Sequence, residues 1–302
     1  MATKLQGRKA GTLEARQIVC KHIGEALRAL KGDCPSDASI HAARKAIKKA
    51  RAVWLLLRQG LPETTYRQTN SRLRDAGRPL GAVRDAKILV VAVDKLLAKA
   101  RGATTAAHLR AIRCTLTESR NEIRRAVRTE PTGLALSRQA LRSARRRIRS
   151  YSIAKHGWST LGKGLSHVYR RGRRMYQKAC SHRRVEDLHE WRKQATYLHH
   201  QLTVLKPVGK GPIGKLSAEV ADLADRLGED HDLAVLCMKI STPAAAIPAA
   251  SKTKVIALIE QERKGLEDAA FILGARIYGE TPAALFSRFG AYWREWRHSI
   301  EG

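Results

Sequence analysis

Apolar residues recur along most of this chain at three- and four-residue intervals, and the positions between them carry Lys, Arg, Glu and Gln. That is the period of an amphipathic helix, and the alternation that a half-buried strand needs is nearly absent. The pattern predicts helices over Leu13–Lys31, Ser36–Gln59, Pro62–Leu80, Arg84–Arg101, Thr105–Arg128 and Leu134–Ser150. A second series covers Thr160–Ala179, Val185–Leu205, Gly214–Leu227, His231–Ile240, Lys252–Ile277 and Pro282–Ile300. The punctuation agrees: Gly32 and Pro35 end the first helix, Pro62 opens one, and Pro131-Thr132-Gly133 makes a turn. Pro207 to Gly214 and Thr242 to Ser251 read as loops. The expected fold class is all-α.

Within Ser36–Gln59, residues Ile40, Ala43, Ile47, Ala50, Trp54 and Leu57 form one apolar stripe. His41, Arg44, Lys48 and Arg51 form a second stripe, offset by one residue or roughly 100° around the helix. The cations therefore share a face beside the core, with Lys45 and Lys49 widening the strip. Leu134–Ser150 repeats the arrangement, with Leu134, Leu141, Ala144 and Ile148 on one face and Arg138, Arg142, Arg145 and Arg149 on another. Thr105–Arg128 adds Arg113, Arg120 and Arg124. A solvated basic face would carry interspersed acids, yet none occurs between Ser39 and Pro62 or between Pro131 and Ser181. Like charges at these spacings disfavour a helix, so the rows suit a site that an anion neutralises.

The basic motif occurs twice. His41, Arg44, Lys45, Lys48, Lys49, Arg51 precede Leu80-Gly81-Ala82-Val83-Arg84-Asp85, and His189, Arg192, Lys193 precede Leu227-Gly228-Glu229-Asp230-His231-Asp232. The histidine-to-aspartate spacing is 44 positions in the first copy and 43 in the second. A doubled unit implies pseudo-symmetry. The second series of helices restarts near Ser150 to Gly157. The expected organisation is a basic tail over residues 1–12, a first half over 13–155 and a second over 156–300, together one domain.

Composition sharpens this picture. The 302 residues hold 58 Lys and Arg against 27 Asp and Glu, a formal charge of +31. Charge of that size destabilises a compact state unless a partner relieves it. Five cysteines without a Cys-x-x-Cys pair argue against a disulfide framework or zinc ribbon and favour a reducing compartment. The basic, polar start lacks a secretory signal, and the longest apolar run, Ile88 to Val93, is too short for a bilayer. A soluble cytoplasmic protein is expected.

These residues resemble the conserved histidine α-helical domain, or CHAD, family. The resemblance rests on His41-x-x-Arg-Lys-x-x-Lys-Lys-x-Arg with Leu80-Gly-x-x-Arg-Asp, and on three segments of the second half. Those are Tyr169-Arg170-Arg171-Gly172-Arg173-Arg174-Met175, the run from Leu188 to Lys193, and the run from Leu227 to Leu236. It extends from about Leu13 to Trp296. It implies two four-helix bundles related by a pseudo-twofold axis, and a basic channel between them that binds inorganic polyphosphate. It establishes no catalytic activity. The second histidine helix departs from the pattern: Thr196 and Tyr197 replace the lysine pair and His199 stands in place of Arg51. That half of the site is then less basic, or draws on Arg170, Arg173 and Arg174.

Arg and Lys suit a repeating oxyanion, since one offers a planar fork and the other a compact charge with three donors. The candidate polyphosphate contacts are His41, Arg44, Lys45, Lys48, Lys49, Arg51, Arg84, Arg138, Arg142, Arg145, Arg149, Arg170, Arg173, Arg174, His189, Arg192, Lys193, His199 and His231. His41 and His189 read equally well as ligand contacts or as helix-start residues bonding a neighbour. Among cations they should be neutral until phosphate arrives. Asp85 and Asp232 are expected at helix starts, as caps. A metal role for Asp230-His231-Asp232 is weak, because adjacent side chains on a helix diverge. Aromatics form 5% of the chain, and Trp54 and Trp191 lie on apolar stripes, so a ligand without bases is favoured over single-stranded nucleic acid. Gly209-Lys-Gly211-Pro-Ile-Gly214 follows a helix rather than a strand and reads as chance. No paired carboxylates or catalytic triad appear, and no cofactor is implied. The leading expectation is a non-enzymatic polyphosphate-binding protein associated with polyphosphate granules. A general nucleic-acid binder and the binding part of a polyphosphate-metabolising enzyme are the alternatives. Oligomeric state is open.

Overall fold

The computed structural model describes all residues except 1–2, 8–10, 33, 130–131, 154–156, 243–248 and 302. The described residues form α1 (Gly11–Ala29), α2 (Asp37–Leu56), α3 (Glu63–Gly77), α4 (Gly81–Lys99), α5 (Ala103–Thr129) and α6 (Thr132–Ser150). They continue with α7 (Trp158–His182), α8 (Val185–Leu205), α9 (Pro212–Ser241), α10 (Ala249–Ile277) and α11 (Pro282–Glu301). Short 3-10 turns follow α2 and α8. The fold is all-α, and among the described residues no helix is long and apolar enough to cross a membrane.

Local chemistry sets most boundaries. The Ser36 hydroxyl accepts from Ser39 N at 3.1 Å and caps α2. Pro212 sits in the first turn of α9, where its missing N–H is no loss. The segment expected as a loop, Pro207 to Gly214, runs instead from the 3-10 turn Lys206–Gly209 through a short turn into the first residues of α9. Pro131, residues 154–156 of the expected boundary and residues 243–248 of the expected second loop lie outside the described residues. So do residues 1–2 and 8–10 of the expected tail. Within that tail Leu5 is buried, and its N–H donates to the Val204 carbonyl at 3.1 Å.

One expected break does not occur. Gly214–Leu227 and His231–Ile240 are a single helix, α9, running through Gly228. A helical glycine costs roughly 0.5–1 kcal/mol against alanine. Burying one large apolar side chain returns about 1.5–3 kcal/mol, and Leu227, Leu233 and Leu236 are all buried on α9. Continuity therefore wins. In consequence Asp232 lies mid-helix. Asp85 falls in the second turn of α4, whose N-cap is Leu80 with no side-chain cap bond. Neither aspartate caps a helix.

Helix partners recur along the chain. α1 packs on α2 and α6 as α7 packs on α8 and α11, and α4 packs on α5 as α9 packs on α10. Across the repeat α2 packs against α8, and α4 against α9. The apolar core divides differently from the sequence. One cluster joins Leu5, Trp54, Leu57, Tyr169, Trp191 and Phe289, and the other joins Val93, Leu96, Leu109 and Ile112 to Leu236, Ile240, Val255 and Ile259. Both clusters draw on residues before and after the expected midpoint. Gln201 Nε2 donates to the Ala52 carbonyl at 3.0 Å, a buried bond between α8 and α2.

Gly164 of α7 lies against the backbone of Leu56, and a Cβ there would press into the Leu56 carbonyl. Gly164→Ala should destabilise the protein by at least about 1–3 kcal/mol, the usual cost of overpacking. Nothing lies within 4 Å of a Cβ at Gly228, so Gly228→Ala should raise stability by roughly 0.5–1 kcal/mol. Denaturant melts of the two variants would check the contrast.

Candidate functional site

The apolar stripe of α2 fixes where its cations point. Ile40, Ala43, Ile47, Ala50 and Trp54 are buried, and the adjacent flank turns Arg44, Lys48 and Arg51 into a cleft of about 680 Å³. α4 contributes Arg84, α8 contributes His189, Arg192 and Lys193, and α9 contributes His231 and Asp232. Three further cations line the cleft: Arg58 from the turn after α2, Arg74 from α3 and Arg171 from α7. Nine Lys or Arg side chains thus face three carboxylates, Asp85, Glu190 and Asp232.

The carboxylates answer only part of that charge. Asp85 takes a bond from Arg84 at 3.0 Å, and Glu190 takes one from Lys193 at 2.5 Å. Asp232 lies close enough to Arg84, Arg192 and Lys48 to feel all three, yet burial still raises its carboxyl above the ordinary value. Arg44 donates to the Gly77 carbonyl at 2.9 Å and Arg51 to Asn70 Oδ1 at 3.1 Å, bonds that orient guanidinium groups without cancelling charge. The Nε atoms of Arg44 and Arg192 are buried without a hydrogen-bond partner. Lys48 shows the crowding most clearly: burial, then Arg84, Arg192 and Arg44, push its amine down to about 7.

The two cleft histidines form a pair, their Nδ1 atoms 3.2 Å apart and their ring centroids 4.3 Å apart. Arg192 Nη2 lies 3.3 Å from His189 Nδ1 and can only donate, so His189 Nδ1 is an acceptor and His231 Nδ1 supplies the proton between the rings. Burial first, and Arg192 second, hold His189 down at about 4 and His231 at about 3. His41 is also lowered, by burial ahead of Arg84 and Lys45. The neutrality expected of these histidines comes from desolvation more than from neighbouring cations.

The other sequence candidates are dispersed. His41 lines a smaller, mostly apolar pocket of about 230 Å³ that shares Arg84 and Asp232 with the cleft. Lys45 is exposed, and Lys49 turns toward His22, Glu25 and His200. Arg138, Arg142 and Arg145 border a separate groove between α1 and α6, while Arg149 lies beside Cys20. Arg173 donates to the Tyr278 carbonyl at 3.1 Å, and Arg170 and Arg174 are exposed outside the cleft lining. His199 donates from Nδ1 to the Ser217 carbonyl at 3.2 Å. The α5 row is absorbed structurally: Arg113 pairs with Asp94, and Arg120 and Arg124 pair with buried Asp37.

Arg58, Arg74, Arg171, His167, Tyr66 and Tyr197, none of them among the contacts expected from sequence, also line the cleft. His167 and Arg171 are one turn apart on α7, beside the buried stripe Leu161, Leu165, Val168 and Gly172. That spacing was visible; which flank of the stripe faced the cleft was not. Arg58 lies over the Tyr66 ring at 5.0 Å and Arg51 over Tyr197 at 5.8 Å, so rings in the cleft brace guanidinium planes. Trp54 and Trp191 are fully buried.

Comparison with known proteins decides the family. The CHAD domain family matches residues 17–264 of this chain. The chain belongs to the CHAD domain family. A solved structure, the CHAD domain from the plant Ricinus communis, aligns over 96% of this chain and 94% of its own length, with 14% sequence identity and a TM-score of 0.52. At that identity the likeness concerns the fold. No curated protein matches the chain. The match covers α2, α4, α8 and α9, the helices that supply most of the CHAD cleft; α11 lies beyond it.

The neutral histidines give the ligand-free CHAD cleft an acid limit. An unfolded histidine protonates near about 6.5, so below that pH the unfolded state binds more protons, and folding stability is lost as the pH falls toward about 4, the value for His189. Replacing His189 and His231 together by Gln should flatten this limb in urea melts taken at stepped pH. An unchanged limb would show that the fold does not hold these rings neutral.

Proposed function

We propose that this protein binds inorganic polyphosphate in the cleft between α2, α4, α7, α8 and α9, as a non-enzymatic module associated with polyphosphate granules. In this reading residues 13–155 and 156–300 supply the two sides of one site, and the protein works in the cytoplasm. The observation that carries the reading is the meeting of Arg44, Lys48 and Arg84 with Arg171 and Arg192, cations from both copies of the repeat, around one cavity. A chain of oxyanions can accept from every fork along its length and requires no recognition of bases. CHAD membership supports the same ligand, and the cleft tyrosines are already occupied by arginine.

A ligand bound only by the native state at a hundredfold its Kd stabilises it by about 2.7 kcal/mol. Long-chain polyphosphate should therefore raise the melting temperature by several degrees, while orthophosphate at equal phosphate concentration should not. Single-stranded RNA at the same salt should compete poorly; effective competition would favour the nucleic-acid alternative. Arg44→Ala combined with Lys48→Ala should keep the helical circular dichroism. A hydrogen bond to a charged group is worth about 1.5–3 kcal/mol, so without these two side chains polyphosphate affinity should fall by at least about tenfold. Equal effects of polyphosphate and orthophosphate would overturn the proposal.

Lys48 adds a proton signature. An amine held at about 7 is only partly charged at neutral pH, and a bound phosphate raises it again. Binding at pH 7.5 should take up protons, seen as a dependence of calorimetric heat on the ionisation enthalpy of the buffer. Lys48→Arg should remove much of that uptake while preserving binding.

A further inference from the structure

From the α1–α6 groove we infer a second, separate site for a phosphate chain, which would let one molecule hold two chains at once. The inference rests on the polyphosphate reading of the central cleft. The groove measures about 520 Å³, and Arg28, Lys31, Arg138, Arg142 and Arg145 border it around Gly24 and Gly32. None of the described residues lining it is a carboxylate, and it shares no lining residue with the central cleft.

The charge here is concentrated by geometry. A methyl group at Gly24 would lie 3.6 Å from Arg28 Nη1 and 3.7 Å from Arg145 Nη2, so both guanidinium groups converge over one bare turn of α1. The Nε of Arg145 is buried without a hydrogen-bond partner. Arg138 is anchored by the carbonyls of Leu30 and Gly32, at 3.3 and 2.8 Å, just past the end of α1. Arg149 continues the row toward Cys20. From Arg138 to Arg149 the helix rise gives a track of roughly 16 Å. None of the described lining residues carries an aromatic ring for a base to stack on. A phosphate chain lying along the track answers the row without needing one.

Gly24→Glu tests this without removing an arginine. The position is helical with ordinary contact distances around a Cβ, and a glutamate there would place its carboxylate between Arg28 and Arg145. Gly24→Ala is the control for the side chain alone. The measurement is native mass spectrometry with tripolyphosphate in a volatile buffer of low ionic strength, with turbidity on adding long-chain polyphosphate as a second readout. The wild type and Gly24→Ala should bind two tripolyphosphates and cross-link long chains. Gly24→Glu should bind one and lose most of the turbidity. Arg44→Ala with Lys48→Ala should retain the outer site alone. A wild type that binds only one, a Gly24→Glu that still binds two, or loss of all binding in the Arg44/Lys48 variant would overturn the second site and leave the central one standing. Full binding in the Arg44/Lys48 variant, with Gly24→Glu losing everything, would overturn the central reading instead. If a single-stranded oligoribonucleotide displaces tripolyphosphate from the groove in a Gly24-sensitive way, the assignment to phosphate chains falls.

Discussion

Like charges held together by apolar packing are the constraint on which the rest of this structure depends. Arg44, Lys48 and Arg192 would separate if their helices could move apart. They cannot, because the same helices carry Trp54 and Trp191 into a common core and α8 donates a buried hydrogen bond to α2 through Gln201. The burial of each large side chain is worth about 1.5–3 kcal/mol, and many such side chains on these helices hold the cations in place. Lys48, its amine held at about 7 by burial first and then by Arg84, Arg192 and Arg44, records the crowding.

Three devices limit the cost. The first is neutrality: His189 and His231 share a proton and stay uncharged among arginines. The second is sparing use of carboxylates, with Asp232 set among Arg84, Arg192, Lys48 and Lys95 while Asp85 and Glu190 each bond one cation. The third is the use of carbonyls, amides and rings to orient guanidinium groups, as at Gly77, Asn70, Tyr66 and Tyr197. Orientation without neutralisation leaves charge available to an anion. At α5 the opposite choice is made: Asp94 pairs with Arg113, and Asp37 with Arg120 and Arg124, which become struts between helices.

The sequence predicted the helices well because their signal is local. Capping at Ser36, the stripe from Ile40 to Leu57 and the proline starts are all decided within a few residues. It misjudged Gly228, where a small intrinsic penalty is outweighed by leucines that find their partners only in the folded core, and with that helix went the capping role expected of Asp232. Of the cation rows, α2 turned most of its members into the cleft. The row on α6, also built at three- and four-residue helical spacing beside an apolar stripe, lines a groove elsewhere.

By itself the sequence determined that the protein is all-helical, that a basic histidine motif is doubled, and that its cations lie on ordered faces, because period and charge are properties of each helix alone. Only the tertiary structure decided which faces meet. A helix has two flanks beside its apolar stripe, and the choice between Arg171 and Arg170, or between cleft and outer groove, is made by the neighbours that bury the stripe. Those neighbours lie up to half the chain away, beyond the reach of any local pattern.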